Sequence, residues 1–249
     1  MAWDFETEDE FAEQLRWMRE FIDSQLIPLE PIYDRLPRDQ WRVVQAYLQR
    51  QVKQQGLWGA FLDPQLGGPG FGQLKLALMS EVIGRCMFSM SIFGVQAPDS
   101  GNMELLAHGA TEAQKERWLW PNLRGEISSA FALTEPFFAG ADPTVIGTTA
   151  RQDGGEWVIN GHKWFVSGAR GAQFAILLAR TEDDPEVPQA ANTAFLVDLP
   201  SDGWEIVRDV ETMSGGHNHC EILIHDLRVP YANMLEDRWL ELMARRPSE

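Results

Sequence analysis

The feature that most constrains the fold of this chain is a change of hydrophobic period near Ser128. Before it, apolar residues recur at helical spacing: Phe11, Leu15, Met18 and Ile22 lie on one stripe, and Trp41, Val44, Leu48 and Val52 on another after Pro37. Thr7 with Glu10, and Thr111 with Gln114, have the spacing of capping boxes. The second would open T-E-A-Q-K-E-R-W-L, with Pro121 ending the helix. Helical patterning also covers Gln73 to Met87. The intervening L-G-G-P-G-F-G, Leu66 to Gly72, is too rich in Gly and Pro for regular structure. A plain loop is the better reading there than a phosphate loop, because no G-K-S/T follows and no strict G-x-G-x-x-G is present.

After Ser128 the period shortens to two. Asp153-Gly154 and Asn160-Gly161 are hairpin signals flanked by short β-rich runs. Further strands are expected at Phe174 to Arg180, Thr193 to Leu199 and Cys220 to Val229, with the acidic, Pro-containing Glu182 to Pro188 as a solvent-facing loop. Short strands separated by turns predict a compact antiparallel barrel or sandwich. The fold class is therefore α+β, an all-α domain over 1–127 followed by a β-barrel or sandwich domain over 128–235, with a tail at 236–249.

The net charge of −16 disfavours nucleic acid and anionic membrane surfaces as partners, although local cations or helix N-termini can still hold an anionic ligand. Two cysteines, Cys86 and Cys220, make no disulfide framework, so a reducing compartment is expected. The N-terminus, M-A-W-D-F-E-T-E-D-E-F, is neither a signal nor a transit peptide, and no apolar run is long enough for a membrane span. A cytoplasmic location follows as the expectation.

The stretch F-A-L-T-E-P-F-F-A-G-A-D, Phe131 to Asp142, resembles the flavin-binding signature that opens the middle β-domain of acyl-CoA dehydrogenases. N-G-H-K-W-F-V-S, Asn160 to Ser167, resembles the second flavin-contacting segment of that family. Gly101 to Leu119 resembles the helical approach to the first signature, and Leu227 to Leu235 the end of the middle domain. The spacing of Glu135 and Asp142, with A-P-D-S-G-N-M-E at Ala97 to Glu104, is similar to the branch of acyl-CoA dehydrogenase family members 10 and 11.

The resemblance implies FAD as cofactor and an acyl-CoA thioester as substrate. An isoalloxazine ring needs fixed hydrogen-bond donors along its N1/O2/N5 edge, where negative charge develops as hydride arrives. By resemblance the cofactor-binding residues are Phe131, Leu133, Thr134, Gly140, Ala141, Phe165, Val166 and Ser167. Thr134 Oγ and the Leu133 backbone would face the pyrimidine side, Ser167 would face N5, and Phe165 would lie where many members carry a tryptophan. Read without the motif, these are ordinary strand-end hydroxyls and a core phenylalanine. Ala141 stands where the family often has a serine, so one hydroxyl contact is lost. Phe137 and Phe138 add apolar bulk, which either reshapes the acyl end or packs.

His217, His219 and Cys220 lack an acidic partner at ligand spacing, so metal binding is disfavoured. His108 and His162 read as surface or capping groups, and no G-x-S-x-G nucleophile motif is present. Removing a proton α to a thioester needs a carboxylate tuned in a dry pocket. The resemblance places that base in a C-terminal four-helix domain, which the sequence, ending at Glu249 after E-D-R-W-L-E-L-M-A-R-R-P-S-E, does not reach; Glu135 reads as structural, so no catalytic residue is assigned. Three readings stay open. One is a dehydrogenase subunit that gains its base in a homo- or hetero-oligomer, with electron-transfer flavoprotein as a possible acceptor. The others are a noncatalytic flavin- or acyl-CoA-binding module and a flavin monooxygenase-like enzyme on the same fold.

Overall fold

The computed structural model describes residues 7–33, 35–140, 142–181, 192–213 and 219–235, and the chain divides into two compact units, Met1–Gln96 and Ala97–Glu249. The first unit holds α1 (Asp9–Phe21), α2 (Glu30–Tyr33), α3 (Arg38–Gln54), α4 (Gly72–Ile83) and α5 (Ser89–Phe93). The predicted stripes make its core. Phe11, Met18 and Ile22 are buried with Leu48 and Val52, while Leu15, Trp41 and Val44 pack partly buried against them. The Leu66 to Gly72 stretch is a 3-10 turn and loop running into α4, as expected. The capping box at Thr7 does not form. The helix starts at Asp9, so Glu8 holds the cap position, and Thr7 Oγ1 donates to Glu8 Oε2 at 2.9 Å instead. Glu8 is itself drawn to Lys75, 3.1 Å away, and Asp9 and Glu10 satisfy the helix dipole from the first turn.

The second unit opens with α6 (Asp99–Gly109), α7 (Glu112–Gln114) and α8 (Trp120–Leu123). Thr111 and Gln114 close the expected capping box. Pro121 does not end the helix. A π turn over Lys115–Leu119 widens the backbone, and Pro121, with no N–H to place, becomes the second residue of α8.

The strands are β1 (Ser129–Ala132), β2 (Thr149–Asp153), β3 (Glu156–Ser167), β4 (Phe174–Arg180), β5 (Asn192–Asp198), β6 (Trp204–Asp209) and β7 (His219–Pro230). They form one curled sheet in the order β1-β4-β2-β3-β7-β6, with β5 on the other edge of β4. Three predicted strands sit where expected, and the Glu182 to Pro188 loop lies outside the described residues. The sheet is mixed, not antiparallel throughout: β1 and the start of β2 both run parallel to β4. β1 enters from α8 rather than from a hairpin, so nothing forces it antiparallel to β4. β4 and β5 are buried on both faces, whereas β3 and β7 alternate. β6 escaped the pattern reading because a bulge between Ile206 and Arg208 leaves Val207 exposed and breaks its alternation. Among the described residues no helix is long and apolar enough to cross a membrane.

Asp153-Gly154 makes a β2–β3 turn, with Gly154 at φ 65°. Asn160-Gly161 makes no turn; it sits inside β3 at a bulge facing Asp226, whose φ is 47°. Asn160 Nδ2 donates to Asp226 Oδ1 (3.0 Å) and Asp226 N donates to Asn160 Oδ1 (2.9 Å), so the amide locks the kink. Gly161 is needed there because a Cβ would overlap the Thr148 side chain. Gly161→Ala is expected to cost about 1–3 kcal/mol by overpacking. Gly155→Ala, at a glycine with nothing within 4 Å of an added Cβ, should stay within about 0.5 kcal/mol of wild type. Urea unfolding midpoints check both, and equal midpoints for the two variants would refute the steric argument.

Candidate functional site

The two segments singled out in the sequence meet at the ends of β1 and β3. Trp164 N donates to Thr134 O at 3.0 Å, and Thr134 Oγ1 donates to Trp164 O at 2.6 Å. One residue back on each side, Lys163 Nζ donates to Leu133 O at 2.9 Å and to Glu135 Oε1 at 2.8 Å. Lys163 is fully buried and Glu135 nearly so. A buried ion pair is tolerated only when its remaining hydrogen-bonding capacity is met. Glu135 meets that condition: Oε1 also accepts from Thr148 N (2.9 Å) and Thr148 Oγ1 (2.5 Å), and Oε2 accepts from Gly147 N (2.7 Å). Burial alone would raise the Glu135 carboxyl, but the Lys163 charge and the Lys163 and Thr148 hydrogen bonds outweigh it and hold it below the ordinary carboxylate range.

The start of β1 is fixed by a second polar cluster. Asp99 Oδ1 accepts from Ser129 N and Ser129 Oγ (both 2.6 Å) and from Asn122 Nδ2 (3.0 Å), while Asn102 Nδ2 donates to Ser129 Oγ (2.8 Å). Lys163 and this cluster were missed as functional supports in the sequence reading. The available signals were a lysine inside an apolar strand and the i, i+3 pair Asp99 and Asn102 on one helix face.

At the end of β3 the register shifts between Lys163 and Val166. Phe165 takes φ 50°, a left-handed conformation costing about 1–2 kcal/mol for a non-glycine residue. The kink turns the Phe165 ring outward, 42% exposed and 4.9 Å from the Trp164 ring. Val166 returns its side chain to the sheet core, leaving only its backbone for a ligand. Ser167 is half-buried, with Oγ 2.8 Å from His219 Nδ1.

Leu133, Thr134 and Gly140 line one shallow pocket with Glu135, Phe138, Ala139 and Asp142. A Cβ on Gly140 would lie 3.2 Å from Thr134 Cγ2, so the loop passes close over the threonine. Phe131 is half-buried on β1, paired with Ile176 of β4. Phe165 and Ser167 stand outside that pocket, and Ala141 lies outside the described residues. Phe137 is 80% exposed, edge-on to the His162 ring at 5.6 Å.

His162 is neither a capping nor a surface group, because its Nε2 lies 2.8 Å from Glu221 Oε1 and the ring is half-buried. His108 is exposed in the last turn of α6. His219 and Cys220 are neighbours on β7 and point to opposite faces, Cys220 into the core; His217 lies outside the described residues. Among the described residues no three His, Cys, Asp or Glu side chains are grouped to hold a metal ion.

Residues 7–126 match the family model for the acyl-CoA dehydrogenase N-terminal domain, and residues 130–227 the model for the acyl-CoA dehydrogenase middle domain. Acyl-CoA dehydrogenase family member 11 of Mus musculus is 38% identical over 209 residues, which cover 80% of this chain and 26% of that protein. The chain thus spans about a quarter of the length of that curated relative. A solved acyl-CoA dehydrogenase-type structure from Mycobacterium abscessus superposes with a TM-score of 0.85 at 30% identity, over 96% of this chain and 63% of the other. Glutaryl-CoA dehydrogenase from Mycobacterium smegmatis, solved in complex with FADH2, superposes with a TM-score of 0.70 at 22% identity, over 92% and 55%, which shows the fold alone.

The ion pair makes two predictions. Lys163→Met should cost about 3–5 kcal/mol by leaving a buried carboxylate uncompensated. Glu135→Leu should cost more, since it strands four donors where Lys163→Met strands two acceptors. Denaturant unfolding of both variants checks the order. Glu135 has a folded pKa depressed below its unfolded value, so its stabilisation is complete above about pH 5 and is lost as pH falls through the lowered value. A wild-type stability curve falling on acidification, and a flatter one for Glu135→Leu, is the expected result.

Proposed function

We propose that this chain, which belongs to the acyl-CoA dehydrogenase family through its N-terminal and middle domains, holds FAD for the α,β-dehydrogenation of an acyl-CoA thioester. The observation that carries this reading is the joined pair of segments at Leu133–Glu135 and Lys163–Ser167, which fixes Thr134 against Trp164 and turns the Phe165 ring outward two residues before Ser167.

The residues present fit the cofactor. Phe165 supplies an exposed apolar plate that the left-handed bulge holds away from the core. Thr134 donates its hydroxyl proton to Trp164 O, so it would meet a ligand as an acceptor and not as one of the donors expected along the flavin edge. Ser167 would face N5, and the Leu133 and Val166 backbones would complete the edge. Bound FAD supplies the hydride acceptor; the chain's own part is to orient the ring and keep its edge dry. An FADH2 complex of a glutaryl-CoA dehydrogenase with the same fold supports the assignment.

Glu135 is not the base that takes the α-proton, because both of its oxygens are engaged within the domain. We assign the base and part of the acyl pocket to polypeptide outside residues 7–235, whether in the same chain or in an oligomeric partner. Electron-transfer flavoprotein would then reoxidise the cofactor, in a cytoplasmic pathway of fatty acid metabolism.

Purification with added FAD, followed by visible absorbance, tests the reading. Ser167→Ala and Thr134→Ala should each weaken FAD binding by about fivefold, the worth of one hydrogen bond. A saturated acyl-CoA should bleach the flavin only where the base is supplied. A flavin-free protein at saturating FAD would sink the cofactor assignment, and bleaching by residues 7–235 alone would sink the placement of the base.

A further inference from the structure

His219 stands opposite Ser167 across the β3–β7 pairing, and its Nδ1 lies 2.8 Å from Ser167 Oγ. Its backbone is held as well, since His219 O accepts from Val210 N at 2.7 Å. Both side chains are half-buried. A serine hydroxyl has one proton to place, and an imidazole Nδ1 carries either a proton or a lone pair. The contact therefore has two polarities. With Nδ1 bare, Ser167 donates to the ring and meets a ligand only as an acceptor. With Nδ1 protonated, the ring donates to Oγ, and the serine proton turns outward as a donor.

The geometry points to His219 as the positioning residue that decides whether Ser167 donates or accepts at the flavin edge. This rests on the reading above, in which Ser167 faces N5. Oxidised N5 offers a lone pair and reduced N5 carries a hydrogen, so the role required of Ser167 inverts on reduction. His219 accommodates the inversion by a change of tautomer: Nδ1 loses its proton to water, Nε2 gains one from water, and Ser167 keeps its own proton and turns it onto Nδ1. No net charge moves, and the hydride transfer itself is unaltered. The charged or titratable groups nearest the Ser167–His219 pairing along these strands are His162 and Lys163 on β3, Arg208 and Asp209 on β6, and Glu221 on β7. Each is held in its own pair: His162 and Arg208 with Glu221, Lys163 with Glu135, and Asp209 with Arg170.

The test uses the full chain loaded with FAD. Nitrogen-15 NMR of the histidine rings should show His219 Nδ1 protonated in the oxidised protein and bare after dithionite reduction, with Ser167→Ala abolishing the difference. His219→Leu should change the relative affinity for oxidised and reduced flavin about tenfold, ~30 mV in a two-electron midpoint potential. His219→Asn, with a donor and an acceptor near the place of Nδ1, should restore the wild-type value. Should His219→Leu fail to fold, the NMR comparison on unmodified protein decides alone. FAD uptake with an unchanged Nδ1 signal overturns this inference and leaves the cofactor reading standing. No FAD uptake overturns both.

Discussion

The buried pair of Glu135 and Lys163 is the interaction on which the rest of the site depends. Lys163 reaches from β3 to the Leu133 carbonyl at the end of β1, and Glu135 gathers the backbone of Gly147 and Thr148 just before β2. Three stretches of chain that share no local pattern are thus tied to two charges. A fully buried ammonium has no solvent to fall back on, so its geometry is dictated by its acceptors. Rigidity at Leu133 and Thr134 follows, and ligand-orienting groups need that rigidity.

From this anchor outward, order gives way to strain. Two residues beyond Lys163, Phe165 accepts a left-handed backbone and an exposed ring, and nothing in the core of the domain benefits. Such a conformation persists where the surroundings over-determine it: Lys163 is fixed on one side, and buried Val166 with its β7 partner Cys220 on the other. The same bulge places Ser167 against His219. The aromatic plate, the hydroxyl and its imidazole partner are therefore consequences of one irregularity in one strand.

Much of this was legible in the sequence where the signal is local. The capping box at Thr111, the hairpin at Gly154, the strand Phe174–Arg180 and the apolar stripes of α1 and α3 all depend on neighbours within a few residues. Local signals failed where a distant partner outvoted them. Asn160-Gly161 has the composition of a hairpin turn, yet it became a bulge because Thr148 and Asp226 occupy its two sides. Pro121 has the character of a helix stop, yet a π turn carried the helix through it. His162 read as a surface group because Glu221, its partner, is 59 residues away.

The sequence by itself determined the division into a helical and a β part, the strands with clear alternation, and, through its motifs, the family. Those properties are written in short-range periodicity and in contiguous runs of residues. Only the tertiary structure decided the mixed pairing of β1 and β2 with β4, the enclosure of Lys163 and the seating of Ser167 on His219. Each is a contact between residues far apart in the chain, and its energy exists only once burial has removed water from around both partners.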